Sequence, residues 1–348
     1  MNKIRHGKDC KEKMISGPFI RHIVFATDFS ESAASAQEYA VSVAKACDAK
    51  LWIIHVVESP LWFEPDAAMA LYLQHAQMEA DQQLAAIENQ LAERKLTALE
   101  LRHITGMPSA QIDKFAQEVG ADLVVVGTRG RNRLETILLG STAERVIKAA
   151  PCPVFAIPTI GSTGEEKEHA FRPRFSIQHI LTPLDFSSPS LDAIEYAIQV
   201  ARQFGARMTL LHVLEPMYYD GEVGLRSMDL LRSVEREMQS AEQRWQQWAY
   251  WRPQLEKLTG LVESIGMPAR SIVAGGVPAD SIVQCAKEQD CDLIIMGTHG
   301  RRGLSRLRFG SVAESVLRQS PYPVLTVKSP KFAAGHRRVT PQEIADSK

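Results

Sequence analysis

The chain has 348 residues, a length that suits two domains of roughly 140–150 residues better than one. With 45% hydrophobic residues and a net charge of −1, it has no charge excess to drive non-specific binding to nucleic acid or an anionic membrane. No apolar run approaches the roughly 20 residues of a membrane span.

The five cysteines, Cys10, Cys47, Cys152, Cys285 and Cys291, are odd in number and contain no C-x-x-C pair. Neither a disulfide framework nor a zinc knuckle is indicated, and a reducing cytoplasm fits. Residues 1–17 are charged and lack an apolar h-region, so they read as a flexible leader rather than a secretion signal.

From there β and α patterns alternate. Arg21–Thr27 predicts a strand, closed by Asp28-Phe29-Ser30, and a helix follows from Ser32 to Cys47. Lys50–Val57 predicts a second strand that ends His55-Val56-Val57-Glu58. A long helix spans about 67–94, a third strand Leu99–Ile104, and a helix Ser109–Val119. Asp122–Val126 is a short run rich in β-branched residues, as in a buried parallel strand. Gly127 and Gly130 come next, then Gly140-Ser141-Thr142 opens a helix to Ala149, with Ser141 a candidate cap. A last strand, Val154–Pro158, completes β-α-β-α-β-α-β-α-β, the order of a parallel sheet with helices on both faces.

Residues 161–175 read as a linker. The pattern then restarts, with Asp185-Phe186-Ser187 and His212-Val213-Leu214-Glu215 in the places of the earlier segments. Gly297, Gly300, Gly310, Ser311 and Val312 follow Gly127, Gly130, Gly140, Ser141 and Thr142 at a constant 170 residues, and Ser311 is the second candidate cap. Asp185 follows Asp28 at only 157, so the second copy is longer between its second and third strands. That extra length is placed near 245–266, where Trp245, Trp248 and Trp251 recur every three residues. They read as a helix face packed on the domain, or as a partner or apolar-ligand surface. Residues 330–348 read as a disordered tail.

A glycine loop that feeds a helix start presents free backbone N–H groups to an anion. In open α/β sheets ligands lie beyond the carboxyl ends of the strands, where strand order reverses. Three features fall there in each half: the acidic residue after strand one (Asp28, Asp185), the apolar end of strand two (Val56 and Val57; Val213 and Leu214), and the glycine loop. The alternatives are structural: a glycine turn needed only for geometry, and Asp28 or Asp185 as a helix cap. His55 and His212 read as structural histidines.

Strand, then Gly-x2-Gly-x9-Gly-(Ser/Thr), resembles the nucleotide-binding signature of the universal stress protein family, and both copies match it in full. The resemblance implies two tandem open-sheet α/β sandwich domains, 18–160 and 176–329. Each would have five parallel strands and be Rossmann-like, of the adenine nucleotide alpha hydrolase-like kind. It implies binding of ATP, ADP or AMP, with Mg2+ on the phosphates, in a stress-response sensor or regulator. Carried over residue by residue, Val56 or Val57 and Val213 or Leu214 meet adenine through the backbone. Asp28 and Asp185 lie on the adenine–ribose side, and Gly127 and Gly297 border the ribose. Gly130, Gly140, Ser141 and Thr142 surround the phosphates in the first half, as do Gly300, Gly310, Ser311 and Val312 in the second. Arg131 and Arg301 touch phosphate or solvate the loop. The second copy, with Arg302-Gly303 where the first has Asn132-Arg133, is the closer match to the family pattern.

The family also implies pairing through the last strand, so Val154–Ile157 and Val324–Val327 are expected to pair with each other as an internal pseudo-dimer; a homodimer of the whole chain is a further expectation. There is no Walker lysine, H-E-x-x-H, G-x-S-x-G or H-x-G-H. The chain therefore reads as a binder, with slow ATP hydrolysis at most. The competing reading is an interaction protein or binder of small apolar or lipid ligands with degenerate nucleotide sites.

Overall fold

The computed structural model describes residues 19–59, 67–128, 139–158, 176–215, 229–298 and 310–328, without the side chains of 68 and 229–244. The expected leader, linker and tail lie outside these residues. The chain forms two compact units, one of Met1–Ser176 with Ser320–Lys348, the other of Ile177–Gln319.

In the first unit, β1 (His22–Thr27), α1 (Glu31–Cys47), β2 (Lys50–Glu58), α2 (Ala67–Leu91), β3 (Ala98–Gly106), α3 (Pro108–Glu118), β4 (Leu123–Gly127), α4 (Ser141–Ala149) and β5 (Val154–Ile157) follow in order. A 3₁₀ turn, Ala92–Arg94, ends the α2 segment. β1 pairs in parallel with β2 on one side and β4 on the other, β3 continues beyond β2, and β5 beyond β4. Strand order thus reverses between β1 and β4, which opens a crevice at their carboxyl ends. The chain's last strand, Val324–Val327, is antiparallel to β5, with Leu325 opposite Phe155. These two runs pair as their sequences anticipated.

The second unit repeats the plan with β6 (His179–Pro183), α5 (Ser188–Phe204), β7 (Arg207–Leu214), α6 (Asp229–Ser264), β8 (Ala269–Gly275), α7 (Pro278–Glu288), β9 (Leu293–Gly297) and α8 (Ser311–Gln319); the last strand of the chain is β10 (Val324–Val327). β6 pairs in parallel with β7 and β9, and β8 lies beyond β7. The extra length of the second copy is helical, since α6 has 36 residues against 25 in α2.

β1, β4, β6 and β9 are apolar because they run through the middle of a sheet with both faces covered. Ile23, Val24, Phe25, Val124, Val125, Ile180, Leu181, Ile294 and Ile295 are all fully buried. The aspartates that open the signature strands have a structural task at the opposite end from the glycines. Asp122 Oδ2 accepts from Arg21 N and His22 N at 2.8 and 2.9 Å, and Asp292 Oδ2 accepts from Gln178 N and His179 N at the same distances. Each clamps the start of its neighbouring first strand.

Cys47, Cys152, Cys285 and Cys291 are buried free thiols. Burial pushes Cys152 and Cys291 up to about 12, and Cys47 and Cys285 up to about 11. Such thiols are inert at neutral pH. Among the described residues no helix is long and apolar enough to cross a membrane.

Candidate functional site

β1 stops where Asp28-Phe29-Ser30 turns the chain into α1. Ser30 is the helix cap, its Oγ accepting from Ala33 N at 3.2 Å. Asp28 does not cap the helix. Its Oδ1 accepts from Ser30 N at 3.0 Å and so shapes the turn. In the second unit Asp185 Oδ1 accepts from Ser187 N at 3.0 Å and from the Ser187 hydroxyl. Both aspartates are half-buried at the carboxyl end of the central strand.

Between them and the next helix turn stands an aromatic residue in the left-handed region, Phe29 at φ 61° and Phe186 at φ 63°. A bulky residue there costs about 1–2 kcal/mol. The cost is offset by ring contacts. Phe29 lies 4.3 Å from the His55 ring, and Phe186 lies 5.2 Å from His212 and 4.6 Å from Trp251. The histidines are tied down in the same way in both units: His55 Nδ1 donates to Thr27 O, and His212 Nδ1 to Leu184 O, each at 2.8 Å. A carbonyl can only accept, so Nδ1 carries the proton. The bond fixes each ring and leaves Nε2 as its acceptor nitrogen.

The first signature glycines, Gly127 and Gly297, end β4 and β9. Their need is steric: a Cβ on Gly127 would come within 2.7 Å of Ser32 Oγ, and one on Gly297 within 2.7 Å of the Pro189 carbonyl oxygen. The missing side chain lets the first turn of α1 or α5 pack directly on the strand end. This puts the signature strand, the Asp turn and the helix start in one place.

Gly130, Arg131, Gly300 and Arg301 lie outside the described residues. The loop is described again where it closes. Gly140 N donates to Thr128 O at 2.7 Å, and Gly310 N to Thr298 O at 2.8 Å. Gly140 is itself the cap of α4, with no side-chain cap hydrogen bond, and Ser141 is the first helical residue. In the second unit Ser311 likewise opens α8, and Gly310 O accepts from Glu314 N at 3.0 Å. Ser141 was expected to cap α4. Gly140 takes that position in an extended conformation, φ −61° and ψ 140°, with its N–H on the Thr128 carbonyl. Ser141 and Ser311 are exposed, and Thr142 and Val312 are partly so.

The apolar floor is Val56 and Val57, both buried, in the first unit, and Leu214, buried, with Val213 half-buried, in the second. The Leu214 carbonyl accepts from Gly276 N at 3.1 Å. Of the three tryptophans, Trp251 is packed inward against Phe186 and His212. Trp245 is 65% exposed and stacks on Trp248 at 5.0 Å. One helix face is therefore packed on the domain at Trp251 and exposed at Trp245.

Chemically, each unit brings a carboxylate, an apolar strand end and a helix amino end to the carboxyl edge of the sheet. A helix amino end attracts anionic groups. Among the described residues no group of three His, Cys, Asp or Glu side chains is placed to hold a metal ion.

The model of the universal stress protein family matches residues 20–158 and 176–328. Universal stress protein MJ0531 of Methanocaldococcus jannaschii is 35% identical over 153 residues, 44% of this chain and 82% of that protein. A putative universal stress protein of Staphylococcus haemolyticus, SH1215, is 32% identical over 154 residues, 44% of this chain and 90% of that protein. Each relative thus matches a stretch of about one domain. The crystal structure of a universal stress protein from Archaeoglobus fulgidus shares the fold along 89% of this chain and 97% of its own, with a TM-score of 0.62 at 21% identity. With the family model matched twice, and the two matches together covering most of its length, the chain belongs to the universal stress protein family and carries two of its domains in tandem.

Proposed function

We propose that the chain binds ATP or a related adenine nucleotide, ADP or AMP, and acts as a sensor or regulator in a stress response. One observation carries this reading. The Asp turn, the apolar end of the second strand and a helix amino end preceded by glycine all lie at the carboxyl edge of the sheet, where strand order reverses, in both units. The base lies against Val56 and Val57, or Val213 and Leu214, with Asp28 or Asp185 beside the ribose. The phosphates meet the loop and the backbone around Gly140-Ser141-Thr142 or Gly310-Ser311-Val312, with Gly130, Arg131, Gly300 and Arg301 completing the loops. A divalent cation such as Mg2+ offsets the phosphate charge. The sequence has no Walker lysine and no H-E-x-x-H or G-x-S-x-G motif, so the reading is of holding a nucleotide rather than cleaving it.

The test is calorimetric titration of the full chain with ATP, ADP and AMP, with and without Mg2+. Saturable binding of up to two nucleotides per chain, weakened by Gly140→Val or Gly310→Val, is the expected result. No heat of binding at millimolar ligand would overturn the reading and leave the fold untouched.

The exposed Trp245 and Tyr250, 65% and 61% accessible, favour one alternative, an interaction protein with degenerate nucleotide sites. In that case substitutions at Gly310 and Ser311 are silent, while Trp245→Ala abolishes function.

A further inference from the structure

The amino-terminal ends of the strands, far from the glycine loops, differ between the units in one respect. In the first unit Lys50 on β2 forms an ion pair with Glu100 on β3. Its Nζ also lies 3.8 Å over the Trp52 ring, and Trp52 packs edge-on to Phe115 at 5.4 Å. Arg102 on β3 also pairs with Glu100, at 3.4 Å, and lies over the Trp52 and Phe115 rings at 5.3 and 5.4 Å, so the cations there are held by a carboxylate and by aromatic faces.

The registers place different residues at the same points in the second unit. Trp52 stands opposite Glu100, and Thr209 stands opposite Arg270. Arg207 takes the place of Lys50, and Cys285, 170 residues after Phe115, takes its place on the covering helix. The ion pair has become two cations and both rings have become small side chains. Arg207 and Arg270 are on one face of adjacent strands as diagonal neighbours, an arrangement unfavourable for like charges.

Arg270 Nε donates to Thr209 Oγ1 at 3.0 Å, and the same hydroxyl lies 2.7 Å from His179 Nε2. Thr209 and His179 are buried, which fixes where the Arg270 guanidinium sits. Beyond that bond, neither Arg207 nor Arg270 has an ion pair or further hydrogen bond involving the described residues. Both charges act on His179. The nearby Asp292 carboxylate, whose Oδ2 accepts from the backbone of Gln178 and His179, opposes the two arginine charges at His179 and forms no ion pair with either of them. Arg207 and Arg270 are both exposed, and two such guanidinium groups, one of them held by buried partners, suit the oxygens of a phosphate group.

We propose that Arg207 and Arg270 form an oxyanion site at the amino-terminal edge of the second unit's sheet, for inorganic phosphate or a small phosphate monoester. It lies at the opposite end of the strands from the glycine loop and is separate from the nucleotide reading. The cost of the like charges is relieved when the anion binds. The first unit has no such site because Glu100 pairs with both Lys50 and Arg102.

The full chain is titrated with inorganic phosphate, and separately with glycerol phosphate, by calorimetry at constant ionic strength. Saturable binding is expected in the wild type. Arg270→Glu, which restores the charge pattern of the first unit, weakens it at least tenfold, and Arg207→Gln weakens it severalfold. Titration with ATP is unchanged in both variants. Phosphate also moves the His179 imidazole titration, followed by NMR, to higher pH in the wild type and not in Arg270→Glu. A preference for the monoester over free phosphate identifies the ligand as a metabolite. Absence of saturable binding, or isotherms that superpose for the wild type, Arg270→Glu and Arg207→Gln, would overturn the site; the second result would assign the phosphate to the glycine loops.

Discussion

The indole of Trp251 lies flat on the ring of Phe186, centroids 4.6 Å apart and planes 18° from parallel. Phe186 is the residue held at φ 63° directly after Asp185. The long helix α6 is thus fastened to the turn that sets one wall of the candidate site. Helix packing and site geometry are coupled there through one pair of rings.

Removing the indole therefore acts beyond α6. Trp251→Ala is expected to destabilise the second unit by about 2–3 kcal/mol, below the fully buried range because the ring is partly exposed. Trp245→Ala stays within about 0.5 kcal/mol. At Phe186 the usual order reverses. Glycine is better tolerated than alanine by about 1 kcal/mol, because only glycine occupies the left-handed region without cost. Urea denaturation of the full chain, with each variant beside the wild type, measures all three.

The two signature glycines predict unequal penalties. A Cβ at position 297 meets the Pro189 backbone at 2.7 and 2.9 Å, whereas at 127 the nearest atom is the Ser32 hydroxyl, with backbone no closer than 3.3 Å. A hydroxyl can rotate away and a backbone cannot. Gly297→Ala should cost about 1–3 kcal/mol and Gly127→Ala less. Ser32→Ala should recover part of the latter. Thermal unfolding with a nucleotide titration would separate loss of stability from loss of binding, and equal penalties would refute this packing account.

His179 makes stability depend on acid. Burial first, then the Arg207 and Arg270 charges, hold its pKa below the ordinary 6.5, with the Gln289 carbonyl and Asp292 opposing. The unfolded chain takes up this proton before the folded one. The contribution of His179 is complete above pH 6.5 and is lost as pH falls below it. His179→Gln should flatten the stability profile between pH 5 and 7 in chemical denaturation.

Lys328 fastens the last strand. Its Nζ donates to the carbonyls of Lys148 and Ala150, at 2.8 and 2.6 Å, at the carboxyl end of α4. Burial brings this lysine down to about 8 and pushes Asp113 up to about 6, each partly offset by the other's charge. Lys328→Met should cost about 1 kcal/mol through the unanswered carbonyls. It should also speed hydrogen exchange at Val154–Ile157 and Val324–Val327. Because the folded pKa of Asp113 lies above its ordinary 3.8, its contribution weakens stability as pH rises from about 4 to 6. Asp113→Asn removes that slope.

Much of this was legible in the residues. Alternating apolar runs and helix patterns, repeated at a fixed spacing, determined two α/β domains, because burial on both faces of a parallel strand and one face of a helix leaves a periodic trace. The Gly-x2-Gly-x9-Gly-Ser spacing determined where a loop must turn into a helix. Tertiary structure decided what each residue does there. Ser141 reads as a cap from sequence, yet the cap is Gly140, whose N–H bonds to Thr128 O across the loop, a contact that local sequence does not record. Asp122 belongs to the signature run but works at the far end of the strand, on the backbone of β1, 100 residues away in sequence. Three tryptophans at equal spacing carry no mark of which one packs on the site turn; only the approach of α6 to Phe186 and His212 selects Trp251. Local pattern records which residues must be hidden or must turn. Which partners they meet depends on distances closed by the whole fold.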